Sequence, residues 1–143
     1  MITAVDTNVL IDILEPDPVY GLTSKEALKR SLREGAVVAC EVVWAEVSVA
    51  YAGVQDALVD TLEQMGIQFL AINCEAALMA AKCWAGYLER GRGQGKKRIA
   101  ADFLIGGHAL VQCDCLLTRD RGFYREYFRG LRVISPQEVL QER

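Results

Sequence analysis

The chain has 143 residues, 52% of them hydrophobic, and a formal net charge of −3, with a pI near 5.2. That length supports one domain with a real core, here residues 1–143, and leaves little room for a second. No apolar run approaches the roughly 20 residues needed to span a bilayer, no removable signal stands out, and the acidic balance excludes a protein that grips nucleic acid by overall positive charge.

Ile2–Val5 predicts the first strand, and Asn8–Leu14 a helix that Pro16 and Pro18 stop. Thr23-Ser24-Lys25-Glu26 has the form of a capping box opening a helix that Gly35 closes. A second strand is predicted at Ala36–Cys40, followed by a helical pair, Glu41–Ala52 and Val54–Met65, split around Gly53. Ile67–Ile72 is the third expected strand. Asn73 can cap a helix over Cys74–Glu89, where Ala77, Leu78, Ala81, Trp84, Ala85 and Leu88 recur at helical spacing and mark a packed face. The stretch from Gly91 to Lys97 is rich in glycine and positive charge, and by composition it is a solvated connector. A helical pattern from Ile99, strands at Cys115–Thr118 and Leu131–Ile134, and a short helix with Pro136 at its first position complete the chain. Strands alternating with helices define an α/β protein built on a parallel sheet.

Four carboxylates interrupt apolar stretches: Asp6, Glu46, Asp102 and Asp120. Each has a local explanation. Asp6 can cap a helix, Asp120 can form an Asx turn through Arg121-Gly122, Asp102 suits a helix N-terminus, and Glu46 can lie on a thin polar stripe. Together they suggest one anionic pocket, because buried acids are costly unless paired or bound to a cation. Two carboxylates ~4 Å apart repel by roughly 4 kcal/mol at an effective dielectric near 20. Hard oxygen ligands favour Mg²⁺ or Mn²⁺, and a metal held this way suits hydrolysis of a phosphodiester by water.

Other chemistries lack their residues. The single histidine, His108, lies in an apolar helical pattern and reads as a packing residue, leaving no general acid and base pair for attack by a ribose hydroxyl. There is no nucleotide-binding P-loop and no nucleophile elbow. Cys40, Cys74, Cys83, Cys113 and Cys115 contain no Cys-x-x-Cys pair, and reduced thiols in a cytoplasmic protein are expected. Cys113, Cys115 and His108 are too few to make a structural zinc site.

Three segments carry a family resemblance: Val5-Asp6-Thr7-Asn8-Val9-Leu10, then Asp102 through Leu110, then Leu117-Thr118-Arg119-Asp120-Arg121-Gly122-Phe123-Tyr124. They resemble the PIN-domain family, most closely the VapC-type toxins of toxin-antitoxin pairs, over nearly the whole chain. The resemblance implies a three-layer α/β/α sandwich with a central parallel sheet of about five strands and an acidic site at the strand C-termini. Asp6, Glu46, Asp102 and Asp120 match the family's catalytic, metal-binding acids, while Asn8 and Thr118 match its site-supporting residues. Val43 departs from the serine or threonine that relatives often carry ahead of the glutamate. A protein of this type is expected to be a Mg²⁺- or Mn²⁺-dependent endoribonuclease that leaves 5′-phosphate ends, with RNA as substrate, a cognate antitoxin as partner and a homodimer as its common form. Arg98, Arg119 and Arg121, with Lys96 or Lys97, are candidate RNA contacts; Tyr124, Tyr127 and Phe128 are expected in the core. The alternatives are a PIN nuclease of RNA maturation and a non-catalytic module whose acids bind a structural metal or a partner's arginine.

Overall fold

The computed structural model describes residues 1–90 and 100–141. The glycine-rich connector, with Lys96, Lys97 and Arg98, lies outside the described residues.

Five parallel strands form one sheet in the order β3-β2-β1-β4-β5. They are β1 (Ile2–Val5), β2 (Ala36–Ala39), β3 (Ile67–Phe69), β4 (Cys115–Leu117) and β5 (Val133–Ile134). Consecutive strand residues such as Val37, Val38 and Ala39, or Cys115, Leu116 and Leu117, are all buried. A strand apolar on both faces needs cover on both, and the helices supply it, giving a three-layer sandwich. The helices are α1 (Thr7–Leu14), α2 (Gly21–Glu34), α3 (Glu41–Ala50), α4 (Gln55–Gln64), α5 (Cys74–Glu89), α6 (Ala100–Gln112), α7 (Arg121–Tyr127) and α8 (Pro136–Gln141). Among the described residues no helix is long and apolar enough to cross a membrane.

The chain runs outward from β1 to β2 and β3, then returns and places β4 on the other side of β1. The order therefore reverses between β1 and β4, and a crevice opens beyond their carboxyl ends. Open α/β sheets bind ligands at such a switch point. Asp6 leaves β1 there and Thr118 leaves β4, with the Asp6 N–H donating to the Leu117 carbonyl at 3.0 Å.

The face of α5 expected to pack is exposed at Leu78, Ala81, Trp84, Ala85 and Leu88, and Ala76, Ala80 and Tyr87 are buried instead. Three differences at element boundaries have local causes. Helix α2 begins at Gly21, not at Thr23, and has no side-chain cap. Asp17 turns the chain instead, accepting from the N–H groups of Val19 and Tyr20, both at 2.8 Å, while the Thr23 hydroxyl bonds back to the Tyr20 carbonyl. Strand β3 stops at Phe69 because side chains take over the backbone beyond it. Glu41 accepts from Ile72 N–H at 3.0 Å, and Gln112 brackets Ala71 and Asn73 at 2.9 Å each. Strand β5 starts two residues late, after a turn in which Leu131 N–H bonds the Phe128 carbonyl.

The Asn73 cap is present, its Oδ1 accepting from Ala76 N–H at 2.8 Å. Helices α5 and α6 approach closely at Gly107, where a Cβ would stand 2.6 Å from the Ala76 carbonyl oxygen and 2.8 Å from the Ala80 Cβ. This contact sets α6, and Asp102 with it, against the sheet. Phe103 is fully buried under Trp84, which stacks on it at 5.8 Å, and Tyr87. Phe123, Tyr124 and Phe128 are core residues as expected. The cysteines are free thiols; Cys40 and Cys115 are buried, whereas Cys74 opens α5 and is exposed. His108 is buried, and its pKa is lowered by that burial against a backbone hydrogen bond at Leu70, so it is a neutral packing residue.

Candidate active site

Asp6 occupies the first position after β1, where an extended backbone (φ −81°, ψ 154°) makes it the N-cap of α1. Its two carboxylate oxygens do different work. Oδ1 accepts from Thr7 N–H at 2.7 Å, which is the capping bond. Oδ2 accepts from the Thr118 hydroxyl at 2.7 Å and from Asn8 Nδ2 at 3.4 Å. Capping and site membership thus coexist in one side chain.

Thr118 is fully buried and joins the strand ends. Its hydroxyl donates to Asp6, accepts from Asp120 N–H at 3.0 Å, and lies 3.5 Å from Asn8 Nδ2. The Asn8 carbonyl oxygen in turn accepts from Arg119 N–H at 3.3 Å. Asn8 and Thr118 therefore bind the turn after β4 to the turn after β1. Asp120 is the N-cap of α7 by position and makes no side-chain capping bond to it.

Glu46 reaches the cluster from the middle of α3 through Thr7, whose hydroxyl donates to its Oε1 at 2.8 Å. The hydroxyl expected at position 43 is absent; Val43 is buried in the core, and Thr7 does the holding. Asp102 stands in the first turn of α6. Burial drives the Asp6 carboxyl up to about 6 from an ordinary 3.8; the bonds from Thr118 and Thr7 oppose the rise, and the negative charges of Asp102 and Glu46 add to it. That electrostatic coupling places three of the four acids in one neighbourhood. Among the described residues no cation pairs with Asp6.

The burial argument made from sequence holds for Asp6, which is 6% exposed. Glu46, Asp102 and Asp120 are only half-buried, so each keeps part of its surface in contact with solvent. Among the described residues, no three acid, thiol or imidazole side chains stand close enough as they are to enclose an ion. The chemistry of the donors still fits a hard divalent cation: they are carboxylate oxygens, and the most buried of them carries excess negative charge around it.

Two residues, Thr7 and Asp12, had not been singled out in the sequence. Thr7 holds Glu46, and the acid Asp12 is 3% exposed within α1. Arg119 grips Asp12 in a two-pronged pair, Nε to Oδ2 at 2.7 Å and Nη2 to Oδ1 at 3.1 Å, and the Ser24 hydroxyl adds a bond at 2.8 Å. Asp12 is an acid on an apolar helix, the same signal that singled out the other four. Arg119 was expected at RNA, but its guanidinium is engaged inside the protein. Arg121 pairs with Glu138 at 2.8 Å and is more than half exposed.

Fold and cluster together define a doubly wound α/β protein with acidic side chains gathered near its switch point. A family model for the PIN domain matches residues 3–128, and the chain belongs to that family. Solved structures share the fold. FitAcB from Neisseria gonorrhoeae is 24% identical with a TM-score of 0.73, over 96% of this chain and 99% of that one. VapBC-1 from nontypeable Haemophilus influenzae is 18% identical with a TM-score of 0.72, over 96% and 99%. VapC20 from Mycobacterium tuberculosis, described as a sarcin-ricin loop cleaving toxin, is 13% identical with a TM-score of 0.58, over 91% and 98%. No curated protein sequence matches the chain.

Proposed function

We propose that this protein is a divalent-metal-dependent endoribonuclease of the VapC type, the toxin of a toxin-antitoxin pair. The observation that carries the reading is the hydrogen-bonded assembly of Asp6, Asn8, Glu46 and Thr118 at the sheet's switch point, with the charges of Glu46 and Asp102 felt at Asp6. Such a concentration of negative charge is unfavourable in a folded protein unless a cation is there to use it.

In this reading Asp6, Asp102 and Asp120 would hold Mg²⁺ or Mn²⁺, and Glu46 would ligate it or orient water. Bound there, the ion would supply Lewis acidity towards the phosphodiester and towards water near neutral pH. Thr118 and Thr7 fix the rotamers of Asp6 and Glu46, so little reorganisation is left for the moment of reaction. Asn8 keeps the two strand-end turns in register. Half-burial of Glu46, Asp102 and Asp120 leaves these acids accessible to a strand of RNA. Arg121, exposed at the start of α7 beside Asp120, remains a candidate phosphate contact, and Arg98 keeps that proposed role from sequence. In-line displacement leaves 5′-phosphate and 3′-hydroxyl ends.

The toxin role and a cognate antitoxin are supported by the VapBC and FitAcB neighbours, and RNA as substrate by the VapC20 neighbour. A homodimer in the cytoplasm is part of the same proposal. The test is incubation of purified, antitoxin-free protein with cellular RNA in Mg²⁺ or Mn²⁺, followed by sequencing of the new 5′ ends. Cleavage with 5′-phosphate ends that EDTA stops, and that Asp6→Asn reduces at least ~100-fold, is expected. Intact RNA from protein that binds Mn²⁺ would leave the non-catalytic module as the better reading.

A further inference from the structure

We propose that Arg119 is a positioning residue: by gripping Asp12 it fixes the turn between β4 and α7 that carries Thr118 and Asp120 into the acidic cluster. This rests on the reading of that cluster as a metal site for RNA hydrolysis.

Thr118 ties the turn to Asp6 through its hydroxyl, and Arg119 adds ties to the far side, towards α1 and α2. Arg119 provides anchorage on three counts. Its side chain makes the two-pronged pair with Asp12, an acid 97% removed from solvent, at 2.7 and 3.1 Å. Its Cζ lies 4.0 Å from the centre of the Tyr20 ring, in cation–π contact with the turn between α1 and α2. Its N–H bonds Asn8 Oδ1 at 3.3 Å, one residue from Thr118 on one side and Asp120 on the other. Asp12 is itself held by Ser24 from α2. The Arg119 side chain thus ties α1 and the α1–α2 turn, and α2 through Asp12, to the segment bearing Thr118 and Asp120.

The geometry of the pair favours positioning over substrate binding. Two parallel N–H···O bonds define an orientation, where a single contact would define only a distance. A guanidinium committed in this way, against a buried carboxylate that would otherwise stand alone, is not available to a phosphate without a large electrostatic cost.

The test uses Arg119→Ala, Arg119→Lys and Asp12→Asn, with three measurements on each folded protein. These are hydrogen exchange at the Thr118 to Asp120 amides, Mn²⁺ affinity by calorimetry, and kcat and KM on a fluorogenic RNA oligonucleotide. Arg119→Ala and Asp12→Asn are expected to speed amide exchange, weaken Mn²⁺ about 10-fold and lower kcat at nearly constant KM. Arg119→Lys keeps the charge opposite Asp12 and should recover part of each; it carries the comparison if Arg119→Ala does not fold. Asp12→Asn separates the roles, since it leaves the Arg119 side chain in place. Wild-type exchange and Mn²⁺ affinity in the folded variants would overturn the proposal. A raised KM and shallower salt dependence confined to the Arg119 variants, with Mn²⁺ affinity intact, would overturn it in favour of an RNA contact. If the wild type binds Mn²⁺ but leaves RNA whole, the nuclease reading fails alone, and exchange and Mn²⁺ affinity still decide the positioning role. A wild type that binds no Mn²⁺ overturns both.

Discussion

Asp6 caps α1 with one oxygen and receives the Thr118 hydroxyl with the other, yet it remains an acid under stress. Its pKa of about 6 in the folded protein lies above the ordinary 3.8, raised first by burial and then by neighbouring carboxylates. A raised acid pKa means the folded state holds the proton more tightly than the unfolded chain. The destabilisation is therefore complete above about pH 6, and it lifts as the pH falls towards about 4; its size is on the order of 3 kcal/mol. Asp6→Asn removes the charge while keeping an oxygen for the Thr7 N–H. In EDTA, calorimetric melting at about pH 7 should show this variant several degrees more stable than the wild type, with the gain vanishing near pH 4. A midpoint unchanged or lower at neutral pH would show that Asp6 is not under electrostatic stress. Asp12, equally buried, is already balanced by Arg119. Among the described residues the two acids differ in whether a cation pairs with them: Arg119 pairs with Asp12, and none pairs with Asp6.

At the level of elements, the sequence signals that proved accurate were those resting on local chemistry. Asn73 before Cys74 and Pro136 at the head of α8 mark their helix starts because capping and proline geometry act within one turn. Signals needing a distant partner were misread. Thr23 to Glu26 has the letters of a capping box, but Asp17 had already turned the chain into α2. Ile67 to Ile72 reads as one apolar strand, yet Glu41 and Gln112 capture its second half, and nothing near residue 70 in the sequence announces them. Gly106 and Gly107 in α6 each make room for a distant neighbour, the Phe128 ring at the first and α5 at the second. Gly107→Ala should destabilise by about 1–3 kcal/mol through overpacking against Ala76 and Ala80, although alanine is the better helix former. Urea denaturation checks this, and a neutral or stabilising result would mean that the helices can part without cost.

Across the whole molecule, the parallel sheet and its acidic edge were legible because both follow from short-range pattern: apolar runs ending in Asp6 and Thr118, and a helix opening near Asp102. Glu46 was legible as a carboxylate in an apolar helical stretch, and the structure supplied its anchor, Thr7, which no spacing rule connects to residue 46. The pairing of Asp12 with Arg119 stayed hidden for a similar reason. They are 107 positions apart, and only the crossing from β1 back to β4 makes them neighbours. The topology that creates the switch point also creates the clamp beside it. The central claim is that acids from four distant segments act together on one divalent cation, and crystals soaked in Mn²⁺ test it directly. An anomalous peak in contact with both Asp6 and Asp102, within reach of Glu46 and Asp120, is the expected result. No peak at these acids, or peaks only at exposed carboxylates elsewhere, would contradict it.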